Sequence, residues 1–401
     1  MIDQQSLERA ADRFRPPEWS FERLVLRRAR KRRGRQIAAG LIGGLIALVS
    51  FASLLQMFRT NERTGSTPSP SASPLPESRS RTVEEIAKVP ALLDEDASAT
   101  AGPFAEATGW IALRSGSDLL AVDPTDPSRI VVLGGAYGAD PIDWSADGAR
   151  LLLSVRPDGW PDHWSGSLPR LEVMSADGSR VDITTFPGPP REPPAAWGSF
   201  SPDGRAVVYG CCGDKRGPYV IDLFGGSLRA LGDPCPRQTV DGEEFELCGE
   251  PADEAAAWSP DGSRIAWFDF AEGTIAGAGH INVLSFINPD GSGLREGVAR
   301  LTGTFGATAL VWSPDGSRLA YWTTSGLDDG PGQIFVINAD GSGLRQITHR
   351  GDNRWPTWSP DGTRIAFVRD GALFTMAADG SDVEQIEGVF PDGPIAWNHV
   401  G

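Results

Sequence analysis

The chain is 401 residues long, 40% hydrophobic, 22% charged and 8% aromatic, with a formal net charge of -16. An ordinary hydrophobic fraction excludes wholesale disorder, and a single long apolar stretch excludes a polytopic membrane protein. A pI near 4.7 excludes nucleic acid as a partner for the bulk of the chain, because phosphate contacts need clustered Lys and Arg. Gly and Pro together make about a fifth of the residues without a collagen period, as expected of many short strands joined by tight turns.

The charge is unevenly placed. Residues 1–59 carry 12 Lys/Arg against 5 Asp/Glu, whereas residues 60–401 carry 25 against 48. At the junction lies the apolar run Ile37 to Leu55, roughly 28 Å long as a helix and so close to a bilayer's hydrocarbon thickness. The basic run Arg27 to Arg35 precedes it, and only Arg59 and Arg63 follow before a neutral Ser/Pro tract. The positive-inside rule then predicts an uncleaved single-pass membrane anchor over 37–58, a short basic cytoplasmic segment over 1–36 and an extracytoplasmic remainder. No small-x-small cleavage site follows the apolar run, which disfavours a signal peptide. Gly40 and Gly44 form a G-x-x-x-G pair of the kind that packs two membrane helices.

Residues 59–106 are expected to be a flexible Pro/Ser-rich linker, with Gly65 to Ser78 offering nothing to bury. The segment starting at Val83 predicts a short helical turn interrupted at Pro90. Repeats organise the rest. One motif recurs as D-W-S-A-D-G at Trp144, S-F-S-P-D-G at Phe200, A-W-S-P-D-G at Trp258, V-W-S-P-D-G at Trp312 and T-W-S-P-D-G at Trp358. The spacings of 56, 58, 54 and 46 residues suit a four-stranded propeller blade with variable loops. Between the copies runs a second motif, as in F-V-I-N-A-D-G-S-G-L-R at Phe335 and T-M-A-A-D-G-S at Thr375. Both predict hairpins: Pro presets one turn residue, Asp accepts a local N–H, and Gly takes the left-handed position. Calcium loops are the rival explanation for so many Asp-Gly pairs, but the spacing lacks an EF-hand register.

Counting second motifs, degenerate ones included, gives six blades over residues 107–401. Gly109 opens on a second strand with no first, and Gly393 to Asn398 form a first strand with no successor. Pairing the two closes the ring and removes the open edges. The predicted fold class is therefore all-β: a six-bladed propeller closed by the C-terminal strand, preceded by one transmembrane helix and a flexible linker. The repeated W-S-P-D-G-x-R-I-A-F with N-A-D-G-S-G-L-R-Q-I-T resembles the TolB-type, WD-like propeller repeat of bacteria, over about three quarters of the chain. The resemblance implies an envelope propeller that engages partner proteins. The chain departs from that family in its predicted anchor and in having no α/β domain before the blades.

Chemistry is sparse. His163, His280, His349 and His399 fall in different segments with no paired ligand spacing, no nucleophile elbow is present, and no phosphate loop lies between a strand and a helix. The leading expectation is a noncatalytic extracytoplasmic scaffold, without a cofactor or metal, binding a protein or an envelope ligand. The alternatives are a transmembrane sensor resembling anti-sigma proteins and a propeller hydrolase or lyase. The four cysteines, Cys211, Cys212, Cys235 and Cys248, are expected to form at least one bridge between the first two and the last two outside the cytoplasm. Alternation places the short turns on one end of the ring and the insertions on the other. The candidate partner-binding residues on the loop end are Trp160, His163, Trp164, Asp328, Asp329, Arg354 and Trp355. Aromatic residues beside charge are typical of interface hot spots, and the acidic surplus suggests a basic or cationic partner, or a divalent ion.

Overall fold

The computed structural model describes residues 84–93, 102–155, 170–184, 197–210, 217–231, 237–240, 243–246, 255–270, 282–300, 305–324 and 330–399. The chain divides into two units, Met1–Ser73 and Pro74–Gly401, and every described residue belongs to the second. The predicted cytoplasmic segment and membrane anchor lie outside the described residues. Among those described, no helix is long and apolar enough to cross a membrane.

Strand β1 (Glu84–Ala91) and the short helix α1 (Pro103–Glu106) precede the ring. Blade 1 contains β2 (Ile111–Ser115), β3 (Asp118–Val122) and β4 (Ile130–Gly135). Blade 2 is β5 (Ala139–Trp144), β6 (Arg150–Val155), β7 (Arg170–Ser175) and β8 (Arg180–Asp182). Blade 3 is β9 (Gly198–Phe200), β10 (Ala206–Tyr209), β11 (Tyr219–Asp222) and β12 (Phe224–Ala230). A separate hairpin, β13 (Arg237–Val240) with β14 (Glu243–Glu246), occupies the connection to the next blade. Blade 4 is β15 (Ala256–Trp258), β16 (Ile265–Phe270), β17 (Asn282–Ile287) and β18 (Arg295–Arg300). Blade 5 is β19 (Phe305–Trp312), β20 (Arg318–Thr324), β21 (Gly332–Asn338) and β22 (Arg345–Gln346). Blade 6 is β23 (Asn353–Trp358), β24 (Arg364–Arg369), β25 (Ala372–Ala377) and β26 (Glu384–Gln385). The final strand, β27 (Ile395–Trp397), is the innermost strand of blade 1.

Closure takes the form that the orphan strands predict. Ile111 faces Trp397, Ala112 faces Ala396 and Leu113 faces Ile395. The Asn398 N–H donates to Trp110 O at 2.9 Å, and Trp397 Nε1 donates to Gly109 O at 2.8 Å. The last strand supplies the ladder partner that β2 lacks.

The turns between first and second strands share one hydrogen-bonded unit. In five blades the Ser hydroxyl donates to the Asp two residues on, at 2.5–2.7 Å. The same oxygen accepts the N–H five residues on, at 2.9 Å. Asp Oδ1 also accepts the N–H two residues further, at 3.0 Å. The turn Gly is left-handed each time, as at Gly316 with φ 67°, a region that side chains with a Cβ enter at a cost. Three of the Trp residues before the turn Ser join neighbouring blades: Trp144, Trp312 and Trp358 donate Nε1–H to Ala396 O, Ala257 O and Val311 O of the preceding blade. The Arg after the turn reaches the next blade in return, with Arg264 over Trp312 at 5.4 Å and Arg318 over Trp358 at 4.8 Å.

The expected helical turn after Val83 is instead an edge strand. β1 pairs antiparallel with the outer strand of blade 3, from Glu84 opposite Ala230 to Ala91 opposite Phe224. Pro90, which has no N–H to give, falls between the partnered Val89 and Ala91 and is tolerated at a sheet edge. Leu92 and Leu93 both donate N–H to Leu223 O, and Leu93 is buried in the main core. An edge that needs a ladder partner outweighs a weak local helix preference. The span predicted as linker, 59–106, thus includes a fifth strand for blade 3 and helix α1, whose Phe104 meets Trp144 edge-on at 5.0 Å.

Candidate functional site

The loop end of the ring carries a cavity of about 310 Å³ between blades 6 and 1, lined by Asp352, Arg354, Trp355, Val368, Asp370, Gly371, Pro391 and Asp392. Three connections build it: the entry to β23, the tight turn between β24 and β25, and the passage from blade 6 to β27. Backbone groups orient its carboxylates. Asp352 Oδ1 accepts the Gly332 N–H at 2.7 Å and Arg354 Nε at 2.8 Å. Asp370 accepts the Asp352 N–H at 3.0 Å, and Asp392 accepts the Gly116 N–H at 2.6 Å. Each carboxylate has two oxygens and about four acceptor positions, so these bonds fix direction and leave capacity facing the cavity.

Arg354 lies over the Trp322 ring at 5.0 Å, and Trp355 meets the same ring edge-on at 6.2 Å. Trp355 has φ 54° at an irregularity of β23, and Ala309 has φ 61° at the corresponding point of β19. The innermost strands of blades 5 and 6 therefore share a left-handed kink. Blade 5 fills it with the smallest chiral residue, whereas blade 6 places there a bulky one, at a cost of order 1–3 kcal/mol. The result is a partly exposed indole held rigidly on the cavity wall.

Of the residues singled out from sequence, Arg354 and Trp355 are thus brought together in one cavity. Trp160, His163, Trp164, Asp328 and Asp329 lie outside the described residues, as do Cys211, Cys212, Cys235 and Cys248. Asp352, Asp370 and Asp392 were not singled out, since they belong to three separate connections that only the closed ring brings together. Among the described residues, no group of three His, Cys, Asp or Glu is placed to hold a metal ion.

A second cavity, of about 250 Å³, occupies the axis near the turn end. The residue before each aromatic lines it: Asp143, Ser199, Ala257, Val311, Thr357 and Ala396. Three of these side chains tie neighbouring blades together. Asp143 accepts the Phe200 N–H at 2.8 Å, Ser199 the Trp258 N–H at 2.7 Å and Thr357 the Trp397 N–H at 3.2 Å. Among the described residues, Asp143 is the only carboxylate of the lining, and withdrawal from solvent raises its pKa to about 7 despite the stabilising backbone N–H groups. His399 stands at the lip where four of the other blades have Pro202, Pro260, Pro314 and Pro360. Superposing the repeats in sequence exposes both departures, a signal that motif searching for paired acids or histidines passes over.

Fold and cavities together define a closed six-bladed β-propeller with one cavity on its axis near the turn end and another beside blade 6 at the loop end. Residues 253–389 match the family model described as TolB beta propeller domain, so this part of the ring is TolB-like. TolB from Acinetobacter baumannii is 19% identical over 74% of this chain and 67% of its own, with a TM-score of 0.47. A TolB candidate from Agrobacterium tumefaciens is 20% identical over 70% of this chain and 89% of its own, with a TM-score of 0.47. An oligogalacturonate lyase from Vibrio parahaemolyticus is 14% identical over 79% of this chain and 74% of its own, with a TM-score of 0.39. No curated protein matches the chain.

Proposed function

We propose that the protein is a noncatalytic binding scaffold of the bacterial envelope, anchored by residues 37–58, whose propeller captures a partner protein through a basic side chain. The loop-end cavity carries this reading: a rigid indole, Trp355, stands beside Asp352, Asp370 and Asp392. Aromatic faces attract cations, and carboxylates bind them in directed, charge-assisted hydrogen bonds. The match of residues 253–389 to the TolB propeller model supports a protein partner, and the basic excess before the apolar run supports the orientation.

The test titrates a lysine-rich peptide, and a glutamate-rich peptide of equal length, into the protein and follows tryptophan fluorescence and heat. The basic peptide should bind, and Trp355→Ala should weaken it at least about tenfold, or about 1.4 kcal/mol. This variant keeps the net charge, so it separates the cavity from the general field of an acidic protein. Equal binding of both peptides, or of wild type and Trp355→Ala, would sink the proposal.

A further inference from the structure

Among the described residues two aspartates are buried outright, Asp123 and Asp140, and each holds an arginine. Arg129 reaches Asp123 at 2.7 Å and Arg114 reaches Asp140 at 2.6 Å. Asp143, on the wall of the axial cavity, is held instead by the main-chain N–H groups of Phe200 and Trp144. Among the described residues, no Lys or Arg pairs with it or lines the cavity. A carboxylate withdrawn from water without a countercharge is costly, and the five equivalent positions avoid that cost with neutral side chains. The cavity that Asp143 lines, about 250 Å³, has room for the missing countercharge.

The wall narrows the choice of guest. Six indoles line it, those of Trp144, Trp197, Trp258, Trp312, Trp358 and Trp397. Five of them have already given their N–H to a main-chain carbonyl, so they offer a guest ring carbon and no donor. A hard metal ion needs about six to eight oxygens, and the lining supplies one carboxylate. A primary ammonium would set N–H groups against carbon, whereas a quaternary ammonium has none to satisfy and is attracted by aromatic rings. His399 stands at the lip with its outer side exposed, yet the surrounding protein displaces enough water to lower its pKa to about 4. It is neutral at pH 7 and sets no positive charge against an entering cation.

The geometry points to a binding site for a free quaternary ammonium ion of choline size on the turn-end axis, with Asp143 as counter-ion and the indoles as wall. The volume lies below the roughly 300–1,000 Å³ of drug-sized sites, which suits a compact ion. This site is separate from the loop-end cavity and does not depend on what that cavity captures.

The experiment titrates choline into the full-length chain in a nonionic detergent at pH 8 and moderate salt, following heat and tryptophan fluorescence. Choline should bind one to one. Its neutral isostere 3,3-dimethylbutan-1-ol should bind at least about tenfold more weakly; this comparison uses the parent protein alone and stands even where a variant unfolds. Glycerophosphocholine, the soluble equivalent of a lipid headgroup, should also bind more weakly, because its phosphate meets the Asp143 carboxylate. Asp143→Asn, with folding checked by melting, should weaken choline at least about tenfold while changing the net charge of -16 by one. Protonation of Asp143 near pH 7 should weaken choline as pH falls from 8 to 6. Equal binding of choline and its isostere, or of choline by the parent and Asp143→Asn, overturns the proposal. Tighter binding of glycerophosphocholine than of choline overturns the assignment to a free ion.

Discussion

Asp143 shows how one residue in a repeated position acquires its own chemistry. Its equivalents around the axis are Ser, Ala, Val, Thr and Ala, and among the described residues it is the one carboxylate of the lining. Burial raises its pKa from 3.8 to about 7. The folded protein therefore keeps a proton between those values that the unfolded chain has released. This contribution to stability is complete below pH 3.8 and is lost as pH rises towards 7. Asp143→Asn should flatten the dependence of melting temperature on pH across that window while sparing the fold, because the amide oxygen can still accept the Phe200 N–H. An unchanged slope in the variant would mean that another group titrates there. The aromatic before each Ser works by volume instead. Trp358 is fully buried, and Trp358→Ala should cost about 3–5 kcal/mol in denaturant unfolding.

The A–B turn is the element repeated most faithfully, and its Ser contributes as much as the Pro, Asp and Gly. Ser313 is fully buried, donates to Asp315 and accepts the Arg318 N–H. Ser313→Ala leaves that N–H without its partner and should cost about 1–3 kcal/mol in unfolding. The Ser hydroxyls also hold Asp261 and Asp315 at about 2, well below the ordinary 3.8. Depressed carboxylates stabilise the fold above pH 3.8, and that contribution is lost as pH falls through about 2. Acid unfolding should thus steepen below pH 3.8, opposite in sign to the Asp143 effect, and Ser313→Ala should reduce the steepening. β1 is an element of another kind, a strand without a repeat, whose place depends on the open edge of β12.

For the whole ring, the critical contact is between the two ends of the propeller sequence. Removing residues 391–401 takes away β27, leaves β2 without its inner partner and deprives Trp144 of its acceptor, Ala396 O. Such a truncation should lose cooperative unfolding or become insoluble; a variant melting like the parent would contradict the role of closure. On the proposed anchored arrangement, protease added to intact spheroplasts should remove the propeller, and its protection would contradict the orientation.

Propeller, blade number and closure were legible in the sequence because each blade repeats the same turn chemistry, and turn chemistry is local. The left-handed Gly of S-P-D-G and the orphan strands at Gly109 and Gly393 needed no knowledge of distant contacts. Arg354 and Trp355 stood out by residue type, yet their cavity companions Asp352, Asp370 and Asp392 come from three connections that meet only in the closed ring. The strand at Glu84–Ala91 was hidden for the same reason: its short apolar pattern is ambiguous alone, and the edge of β12, far along the chain, determines its conformation. The sequence by itself determined the repeat and the number of blades, since hairpins are specified within about a dozen residues. Tertiary structure alone decided which carboxylates share a cavity, which edge is covered and which is left open, because those depend on where separate blades come to lie.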